Sequence, residues 1–309
     1  MFTSRCKKSS IATLLALGCL LDATAARAQE IEPRQYANAP AGINFLIASY
    51  AYTDGGISFD PSLPLTKPSL ETNSAVFAYV RTLDIRGSSG KIDAVLPYTW
   101  LSGSAEYEGE RVDRVVNGPA DPLFRLSWNF LGAPALSVKE FASFRQDLIV
   151  GAALQVSLPL GQYDDDRLVN LGSNRWMFKP SLGVSQALGP WTLEATAAAA
   201  FFTDNEDFYG GRTRSQDPLY SMQWHVIYTF RWGAWAALDG TYYTGGTTTI
   251  DGIDKKDLKR NWRAGATLAV PINVRNSVKL YASDGVAART GDSFTLYGIA
   301  WQYRSGGGL

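Results

Sequence analysis

Residues 220–232 read YSMQWHVIYTFRW, and two kinds of side chain alternate along them. The even-numbered positions are all apolar or aromatic, whereas the odd-numbered positions are polar except for Ile227. Successive side chains of a β-strand point to opposite faces of the sheet, so this pattern predicts a strand with one apolar and one polar face. Residues 121–131, DPLFRLSWNFL, follow nearly the same alternation from Pro122 onward. The apolar face is either the core of a soluble sandwich or the lipid-facing surface of a membrane barrel.

The alternation recurs along the whole chain. Each alternating run is near or above the roughly 9–11 residues that a tilted strand needs to cross a bilayer. We predict twelve strands, at residues 42–54, 71–83, 91–104, 119–131, 147–159, 174–187, 191–203, 218–231, 234–245, 260–271, 277–284 and 293–304.

The connections between these strands alternate in length. The long polar ones are residues 55–69, 106–118, 161–173, 204–216, 245–259 and 284–293. The short ones are residues 84–90, 188–190, 232–233 and 272–276, and a fifth connection at the same end, residues 132–146, is longer. An even number of strands with sorted loops is typical of outer-membrane barrels, whose long loops are extracellular and whose tight turns are periplasmic.

Charges on the polar faces favour lipid on the apolar side. A cation at the bilayer midplane would cost about 2–4 kcal/mol, whereas a lumen can hold charges as hydrated or paired ions. Aromatic residues also cluster near the strand ends, as interfacial girdles do. The mid-strand charges are Arg81, Asp93, Arg125, Lys179, Glu194, Asp239, Arg263 and Lys279. The sequence therefore predicts an all-β fold, a single closed antiparallel transmembrane β-barrel of about twelve strands; the alternative is a soluble periplasmic sandwich.

The N-terminus has the anatomy of a secretory signal. Basic residues at 5–8 precede an apolar run at 11–21 and a small-x-small cleavage site at 26–28. A lipoprotein signal ending at Cys19 is a weaker alternative. Cleavage after residue 28 removes both cysteines, so the mature chain carries no thiol. The predicted organisation is a signal peptide at 1–28, a periplasmic N-terminal segment at 29–41, the barrel at 42–304 and a C-terminal tail at 305–309.

Two features interrupt the regular pattern. In residues 132–146, GAPALSVKEFASFRQ, Ser137 and Glu140 fit a capping box, which predicts one or two turns of helix at the periplasmic rim. An ordinary loop is the equal alternative. Pro97 and Pro180 lie inside predicted strands, where each loses a ladder hydrogen bond, so they mark bulges or strand ends.

Several strings resemble the family called "putative MetA-pathway of phenol degradation". They are PRQYANAPAGINF (33–45), DPLFRLSWNFLGAPAL (121–136), SLPLGQYDDDRLVNLGSNRWMFKPSLGVS (157–185), ALDGTYYTGGTTTIDG (237–252) and SVKLYASDGVAARTGDSF (277–294). The resemblance runs through essentially the whole mature chain and implies an outer-membrane β-barrel, a transporter associated with the breakdown of aromatic compounds. It implies no catalytic residues. This chain departs from the usual barrel pattern by ending RSGGGL after Tyr303 instead of on an aromatic residue.

Residues capable of catalysis or metal binding are sparse. His225 is the sole histidine, it falls on the polar face, and no GxSxG motif accompanies it. One histidine and no mature cysteine exclude a conventional zinc site. The acidic runs at 164–166 and 204–207 could hold Ca²⁺ or bridge lipopolysaccharide, but solvated charge is the preferred interpretation. We therefore expect no cofactor, no metal and no enzymatic activity.

The polar faces supply the candidate lumen-lining residues. Rings of Arg and Lys select anions in pores, which is one interpretation of the basic members. The preferred interpretation is that they pair with the acidic members and fill a narrow barrel. The candidates are Arg81, Arg125, Arg175, Lys179, Glu194, His225, Arg231, Asp239, Arg263 and Lys279.

Together these features predict an outer-membrane channel for passive uptake of small solutes, including aromatic or hydrophobic ones. The alternatives are a structural or adhesion barrel with an occluded lumen and, less favoured, an outer-membrane hydrolase. The expected partners are the lipid bilayer, lipopolysaccharide, the outer-membrane assembly machinery and a small-molecule solute. The formal net charge of +0 gives no indication of nucleic acid.

Overall fold

A computed structural model describes residues 32–55, 65–107, 110–167, 169–288 and 294–308. Strands dominate the described residues. They are β1 (Ile43–Gly55), β2 (Leu65–Ile85), β3 (Ser88–Tyr107), β4 (Glu110–Pro119), β5 (Leu123–Leu131), β6 (Leu148–Ser157), β7 (Met177–Leu188), β8 (Trp191–Phe202), β9 (Asn205–Phe208), β10 (Arg212–Gln216), β11 (Leu219–Thr229), β12 (Trp235–Gly245), β13 (Thr248–Ile250), β14 (Ile253–Asp254), β15 (Lys259–Pro271), β16 (Asn276–Ala288) and β17 (Phe294–Gly306).

The long strands form one closed antiparallel barrel. Their order is β2-β1-β17-β16-β15-β12-β11-β8-β7-β6-β5-β3, and the pairing of β2 with β3 closes it. β5 pairs with the first half of β3 and β4 pairs with its second half. β4 and β5 together therefore occupy one strand position in the wall. The barrel therefore has twelve strand positions, as the sequence predicts, and closure pairs each of these described strands on both sides.

The interruption between β4 and β5 lies opposite Pro97. Pro119 pairs with Tyr98 and Leu123 pairs with Val95, so three residues of the interrupted strand oppose two of β3. The extra residue makes a bulge at the point where Pro97 has no N–H to donate. Pro180 instead lies within β7, and its pairing with β8 resumes at Ser181 in unchanged register. The proline prediction is thus right for the first site and wrong for the second.

The apolar strand faces point outward. In β5, Phe124 is 42% exposed and Leu126 50%, whereas Ser127 on the opposite face is 5% exposed. Aromatic side chains meet on the same surface, such as Trp191 against Tyr228 with ring centroids 4.8 Å apart. Exposed apolar side chains around a polar interior are what lipid outside requires. The soluble-sandwich alternative is therefore wrong.

Three of the predicted long loops contain additional strands. Residues 204–216 and 245–259 include β9, β10, β13 and β14, which form a separate four-stranded sheet around buried Phe208 and Ile250. Residues 106–118 include β4, which pairs with β3 up to Tyr107. These strands are short or far from the main alternating pattern, so periodicity alone did not separate them from loops. Parts of the loops at 55–69 and 284–293 lie outside the described residues.

The opposite end of the barrel carries the short turns and one short helix, α1 (Val138–Phe141). The predicted capping box is present: Glu140 N–H donates to Ser137 Oγ at 3.3 Å and Ser137 N–H donates to Glu140 Oε2 at 2.9 Å. The Ser137 hydroxyl also donates to Glu140 Oε2 at 2.7 Å, and this hydrogen bond, together with the one from the Ser137 N–H, holds the pKa of the Glu140 carboxyl below its usual value. The helix prediction is confirmed over the ordinary loop. Among the described residues, no helix is long and apolar enough to span a membrane.

The chain ends depart from the predicted boundaries. The signal peptide predicted at 1–28 lies outside the described residues. Residues 32–42 are here called the N-terminal segment, and several of their side chains contact the inner faces of the strands. The prediction of a periplasmic segment at 29–41 did not include these contacts, because the alternating pattern gives no information about chain outside the strands. At the other end β17 continues to Gly306, two residues past the predicted boundary.

A polar cavity inside the barrel

Tyr36 attaches the N-terminal segment to the inner wall. Gly151 of β6 and Gly183 of β7 are cross-strand partners, and neither has a side chain. The Tyr36 ring lies against both, so a Cβ at Gly183 would come within 2.0 Å of Tyr36 Cε2. The hydroxyl lies 3.0 Å from Ser181 Oγ, and the residue is only 1% exposed. The two glycines therefore form a recess that the tyrosine fills.

Ion pairs attach the segment at a second point. Glu32 meets the guanidinium of Arg125, whose Nη2 donates to Glu32 Oε1 at 2.8 Å. On the other side Arg125 Nε donates to Asp93 Oδ2 at 2.6 Å. Asp93 and Arg125 are cross-strand partners on β3 and β5. A fork of N–H donors suits two carboxylates at once, so one arginine links the wall to the segment.

Arg34 makes a third attachment on the far side of the lumen. Its backbone N–H donates to Glu194 Oε2 at 2.7 Å, and Glu194 also accepts from Ser185 Oγ at 2.9 Å. The guanidinium donates to Thr229 Oγ1 at 2.8 Å and lies 5.0 Å from the ring centroid of Trp235. The Glu194 carboxylate thus accepts hydrogen bonds from a backbone amide and a hydroxyl. Its burial agrees with the interpretation that charged side chains fill a narrow barrel. These two hydrogen-bond donors differ from the inward basic side chains that were expected.

Two wall residues hold the segment through its carbonyl groups. Lys91 Nζ donates to the Gln35 carbonyl at 2.9 Å, and Asn129 Nδ2 donates to the Tyr36 carbonyl at 3.0 Å. Backbone groups inside a barrel must find partners when water is excluded. The segment therefore crosses the lumen with both its side chains and its backbone engaged.

A small polar cavity of about 20 Å³ lies between the N-terminal segment and the wall. Three lining residues lie on neighbouring strands and are direct cross-strand partners: Arg125 on β5, Gln155 on β6 and Lys179 on β7. The lining consists of Glu32, Gln35, Arg125, Gln155, Lys179, Ser181, Thr196, Ala198, Ser221 and Gln223.

An apolar layer lies next to the cavity on the long-loop side. Leu123, Met177 and Leu219 each stand two residues from a cavity-lining residue on the same strand. The layer is the buried cluster of Leu123, Met177, Ala200, Leu219 and Tyr243, with Val95 and Phe202 packed against it. The cavity therefore has apolar wall residues on its long-loop side and the N-terminal segment on its short-turn side.

His225 and Asp239 form a buried pair. His225 Nδ1 lies 2.6 Å from Asp239 Oδ1, and Thr267 Oγ1 donates to Asp239 Oδ2 at 3.0 Å. His225 Nε2 is buried and has no hydrogen-bond partner among the described residues. A hydrolytic triad needs a nucleophile within hydrogen-bond reach of that nitrogen. Within the described part of the chain, the pair thus has the orienting half of a triad and not the nucleophile.

Two of the predicted lumen residues lie elsewhere. Arg81 shares its face of β2 with exposed Phe77 and Tyr79, and its guanidinium donates to Asn44 Oδ1 at 3.0 Å near the short-turn end. Its predicted lumen position is wrong. Both faces of β2 carry polar and apolar residues, so the sequence does not show which face points outward. Arg231 lies in the exposed turn after β11, so its predicted lumen position is also wrong.

Three further basic candidates lie over aromatic rings. Arg175, just before β7, lies 4.5 Å from the ring centroid of Phe202. Arg263 lies 3.6 Å from the ring centroid of Phe294 and donates to Ser283 Oγ at 2.8 Å. Lys279 lies 5.4 Å from the ring centroid of Tyr281. Of the inward arginines predicted to pair with acids, Arg125 does so, and Arg175 and Arg263 pack over aromatic faces.

The acidic run at 164–166 lies in an exposed loop. Its three carboxylates come within 4.8 Å of one another. Asp166 N–H donates to Asp164 Oδ1 at 3.0 Å, and Arg167 lies 3.9 Å from Asp164. Exposed carboxylates balanced by a neighbouring arginine need no ion, so the solvated interpretation remains the preferred one.

Comparison with known proteins places this fold in a family. The profile of the family described as "Putative MetA-pathway of phenol degradation" matches residues 33–303. The chain belongs to that family, as the strings quoted above predict. A search of curated protein sequences finds no match.

Solved structures of outer-membrane barrels resemble this one. The COG4313 outer membrane channel from Pseudomonas putida F1 superposes with a TM-score of 0.73 at 17% identity, over 89% of this chain and 100% of that one. The β domain of the Bordetella autotransporter BrkA gives 0.49 at 10% identity over 85% and 99% of the chains. The KdgM porin gives 0.45 at 8% identity over 83% and 98%. At these identities the likeness concerns the fold alone.

Sequence reasoning missed the N-terminal segment as a lumen element. The signal was present in the paired glycines at 151 and 183, both on inward faces of neighbouring strands. Without the strand register, however, nothing links them to each other or to Tyr36. The segment carries no periodic pattern, so its position follows only from three-dimensional contacts.

Proposed function

We propose that the protein is an outer-membrane channel through which small polar solutes diffuse passively. The single observation that carries this proposal is the polar cavity inside a barrel whose outer surface is apolar. A barrel that served only as a membrane anchor would gain nothing from lining an internal cavity with amides, hydroxyls and charges. Membership of the family and the likeness in fold to an outer membrane channel support the same conclusion.

The path for solute runs past the N-terminal segment. The segment lies across the lumen on the short-turn side, so it sets the width of the channel and must shift for anything larger than water and ions to pass. A lumen that stayed closed would make the protein a structural or adhesion barrel. The contacts of Tyr36 offer the means to distinguish the two.

The test is single-channel recording in planar lipid bilayers. Gly183→Ala places a methyl group within 2.0 Å of the Tyr36 ring and displaces it from its recess. We expect the wild-type protein to conduct weakly and the Gly183→Ala variant to conduct several times more. Gly240→Ala is the matched control, since its methyl group meets only Trp224 at 3.7 Å, and its conductance should equal that of the wild type.

Liposome swelling with sugars of increasing size complements the recordings. The variant should admit larger sugars than the wild type. Absence of conductance in both the wild type and Gly183→Ala, together with unchanged swelling, would establish the structural barrel instead.

We further propose that residues 1–28 are removed and that the mature chain lies in the outer membrane of a Gram-negative cell. The lipid bilayer and lipopolysaccharide then surround the apolar face, and the outer-membrane assembly machinery inserts it. Aromatic or hydrophobic solutes, expected from the family resemblance, fit this cavity less well because none of the described residues that line it is aromatic.

A further inference from the structure

His225 stands between two carboxylates on the inner wall of the barrel. Its cross-strand partner on β8 is Glu194, and its cross-strand partner on β12 is Asp239. Directly opposed side chains on neighbouring strands have Cβ atoms about 4.5–5.5 Å apart. All three residues are buried. The sole histidine of the chain therefore lies within reach of two acidic groups, away from bulk water.

The two nitrogens of the His225 ring have different surroundings. Nδ1 lies 2.6 Å from Asp239 Oδ1, whereas Nε2 has no hydrogen-bond partner among the described residues. A neutral ring donates its one proton from Nδ1 to the carboxylate and leaves Nε2 as an acceptor. A protonated ring would also carry a proton on Nε2, and a buried charged donor without an acceptor is strongly unfavourable. The contacts in this structure are thus those of the neutral ring.

Glu194 offers the acceptor that a protonated His225 would need. The two nitrogens lie on opposite sides of the imidazole ring, so Nε2 points away from Asp239, and Glu194 is the cross-strand neighbour on the other side. Both Glu194 oxygens are engaged: Oε2 accepts from the Arg34 N–H at 2.7 Å and Oε1 accepts from Ser185 Oγ at 2.9 Å. A protonated ring would therefore compete with Arg34 for this carboxylate.

The hydrogen bond between Glu194 and Arg34 holds the N-terminal segment on this side of the lumen. The Arg34 guanidinium also donates to Thr229 Oγ1 at 2.8 Å, and Thr229 belongs to β11, the strand that carries His225. A positive charge on His225 would attract the Glu194 carboxylate and repel the Arg34 guanidinium. Both effects weaken the same attachment.

Charged groups approach His225 from each element that packs around it. β8 contributes Glu194, β12 contributes Asp239 and the N-terminal segment contributes Arg34. On β15, Arg263 stands two residues before the cross-strand partner of Asp239. Arginine keeps its charge throughout the physiological range, whereas histidine is the side chain whose charge ordinarily changes between about pH 5 and about pH 8. Acidification in this range therefore acts on the imidazole.

We propose that His225 is a proton-operated latch for the N-terminal segment: protonation draws Glu194 away from the Arg34 N–H and releases this attachment. A proton that binds the released arrangement more tightly than the latched one shifts the equilibrium towards release. Acid therefore favours the released and more conductive state, and neutral pH favours the latched state. The proposal rests on the channel function above and states how the opening of that channel is regulated.

The test measures exposure of the segment separately from ion flow. Pro33 is buried beside Arg34, so the thiol of a Pro33→Cys variant should react with a maleimide only when the segment leaves its site. Full-length protein in detergent is labelled, and the modified peptide is quantified by mass spectrometry. Acid slows maleimide chemistry itself, so each rate is divided by that of Ser143→Cys, an exposed position after α1.

We expect this labelling ratio to rise about tenfold from about pH 7.5 to about pH 5.5, since a hydrogen bond to a charged group changes an equilibrium constant by roughly that factor. His225→Gln is the decisive variant, because glutamine is polar but takes up no proton in this range. Its labelling ratio should be the same at both pH values. Glu194→Gln should also respond less, because it keeps an acceptor for the Arg34 N–H and removes the negative charge.

A matched control removes a carboxylate elsewhere. Asp84→Asn alters the exposed end of β2, and its labelling ratio should rise with acid as much as that of the unaltered background. Heat-dependent migration on gels verifies that each variant is folded. If Pro33→Cys does not fold, Ala37→Cys reports on the same segment. If His225→Gln does not fold, Glu194→Gln carries the test.

Conductance recorded at both pH values separates this proposal from the channel function. A labelling ratio that ignores acid, or an acid response that persists in His225→Gln, would overturn the latch. Labelling that responds to acid through His225 without any conductance would leave the latch and remove the channel. Conductance in Gly183→Ala with the same labelling ratio at both pH values would leave the channel and remove the latch.

Discussion

The two boundaries of the cavity are built in opposite ways. On the long-loop side the apolar layer consists of side chains that belong to the wall itself. On the short-turn side the N-terminal segment is a separate piece of chain, held by ion pairs, hydrogen bonds and one buried tyrosine ring. The layer cannot leave without deforming strands, whereas the segment can leave while every strand pair of the barrel stays intact.

Because of this difference, we expect movement at the short-turn end of the barrel. Packed apolar side chains resist rearrangement because water offers no substitute for the close packing that they would give up. Hydrogen bonds and ion pairs can be exchanged for water once water has access, at small net cost. A barrel whose wall is fixed and whose obstruction is polar can therefore open without unfolding.

The largest expected effect on stability comes from breaking the ionic attachment. Arg125→Gln leaves the buried carboxylate of Asp93 and the partly exposed carboxylate of Glu32 without their common cation, and removing one partner of a buried pair typically costs about 3–5 kcal/mol. We expect that loss in the free energy of unfolding, measured by urea titration with tryptophan fluorescence, accompanied by higher conductance.

A surface ion pair provides the control for that measurement. Arg111 and Asp113 lie 3.0 Å apart but are 73% and 60% exposed, so Arg111→Gln should leave the unfolding transition unchanged. Equal stability of Arg125→Gln and Arg111→Gln would show that the segment is not held by this charge.

The apolar layer responds differently to truncation. Leu219 is buried within it, and Leu219→Ala should cost about 2–5 kcal/mol of unfolding free energy, the usual range for a buried leucine that leaves a void. We expect little change in conductance, because the wall keeps its register. Leu160→Ala, in an exposed loop, is the control and should leave stability unchanged. A conductance increase in Leu219→Ala as large as that in Gly183→Ala would place the obstruction at the layer instead.

The barrel was predictable because lipid and water impose a two-residue period on every strand. Residues 121–131 illustrate this: Phe124 and Leu126 face outward and Ser127 inward, as their parity predicts. The prediction failed where that constraint is absent. Arg81 lies near a strand end, where lipid gives way to water and a charged side chain on the outer face costs little.

The cavity was only partly predictable. Arg125 and Lys179 follow from parity, but Glu32 and Gln35 come from a segment without any periodic pattern. The recess for Tyr36 depends on Gly151 and Gly183 being directly opposed, and register is decided by the pairing of whole strands. Contacts between distant parts of the chain are therefore what the sequence left open.

The smallest expected effect lies at the buried His225–Asp239 pair, which belongs to the wall and not to either boundary. His225→Ala removes the imidazole from Asp239 and leaves the hydroxyl of Thr267, so we expect a loss of about 1–3 kcal/mol in unfolding free energy. At neutral pH conductance should not change, because neither residue lines the cavity. Hydrolysis of a p-nitrophenyl ester should be equally absent in the wild type and the variant. Ester hydrolysis by the wild type that disappears in His225→Ala would show instead that the pair is catalytic, with a nucleophile that approaches Nε2 only when substrate is bound.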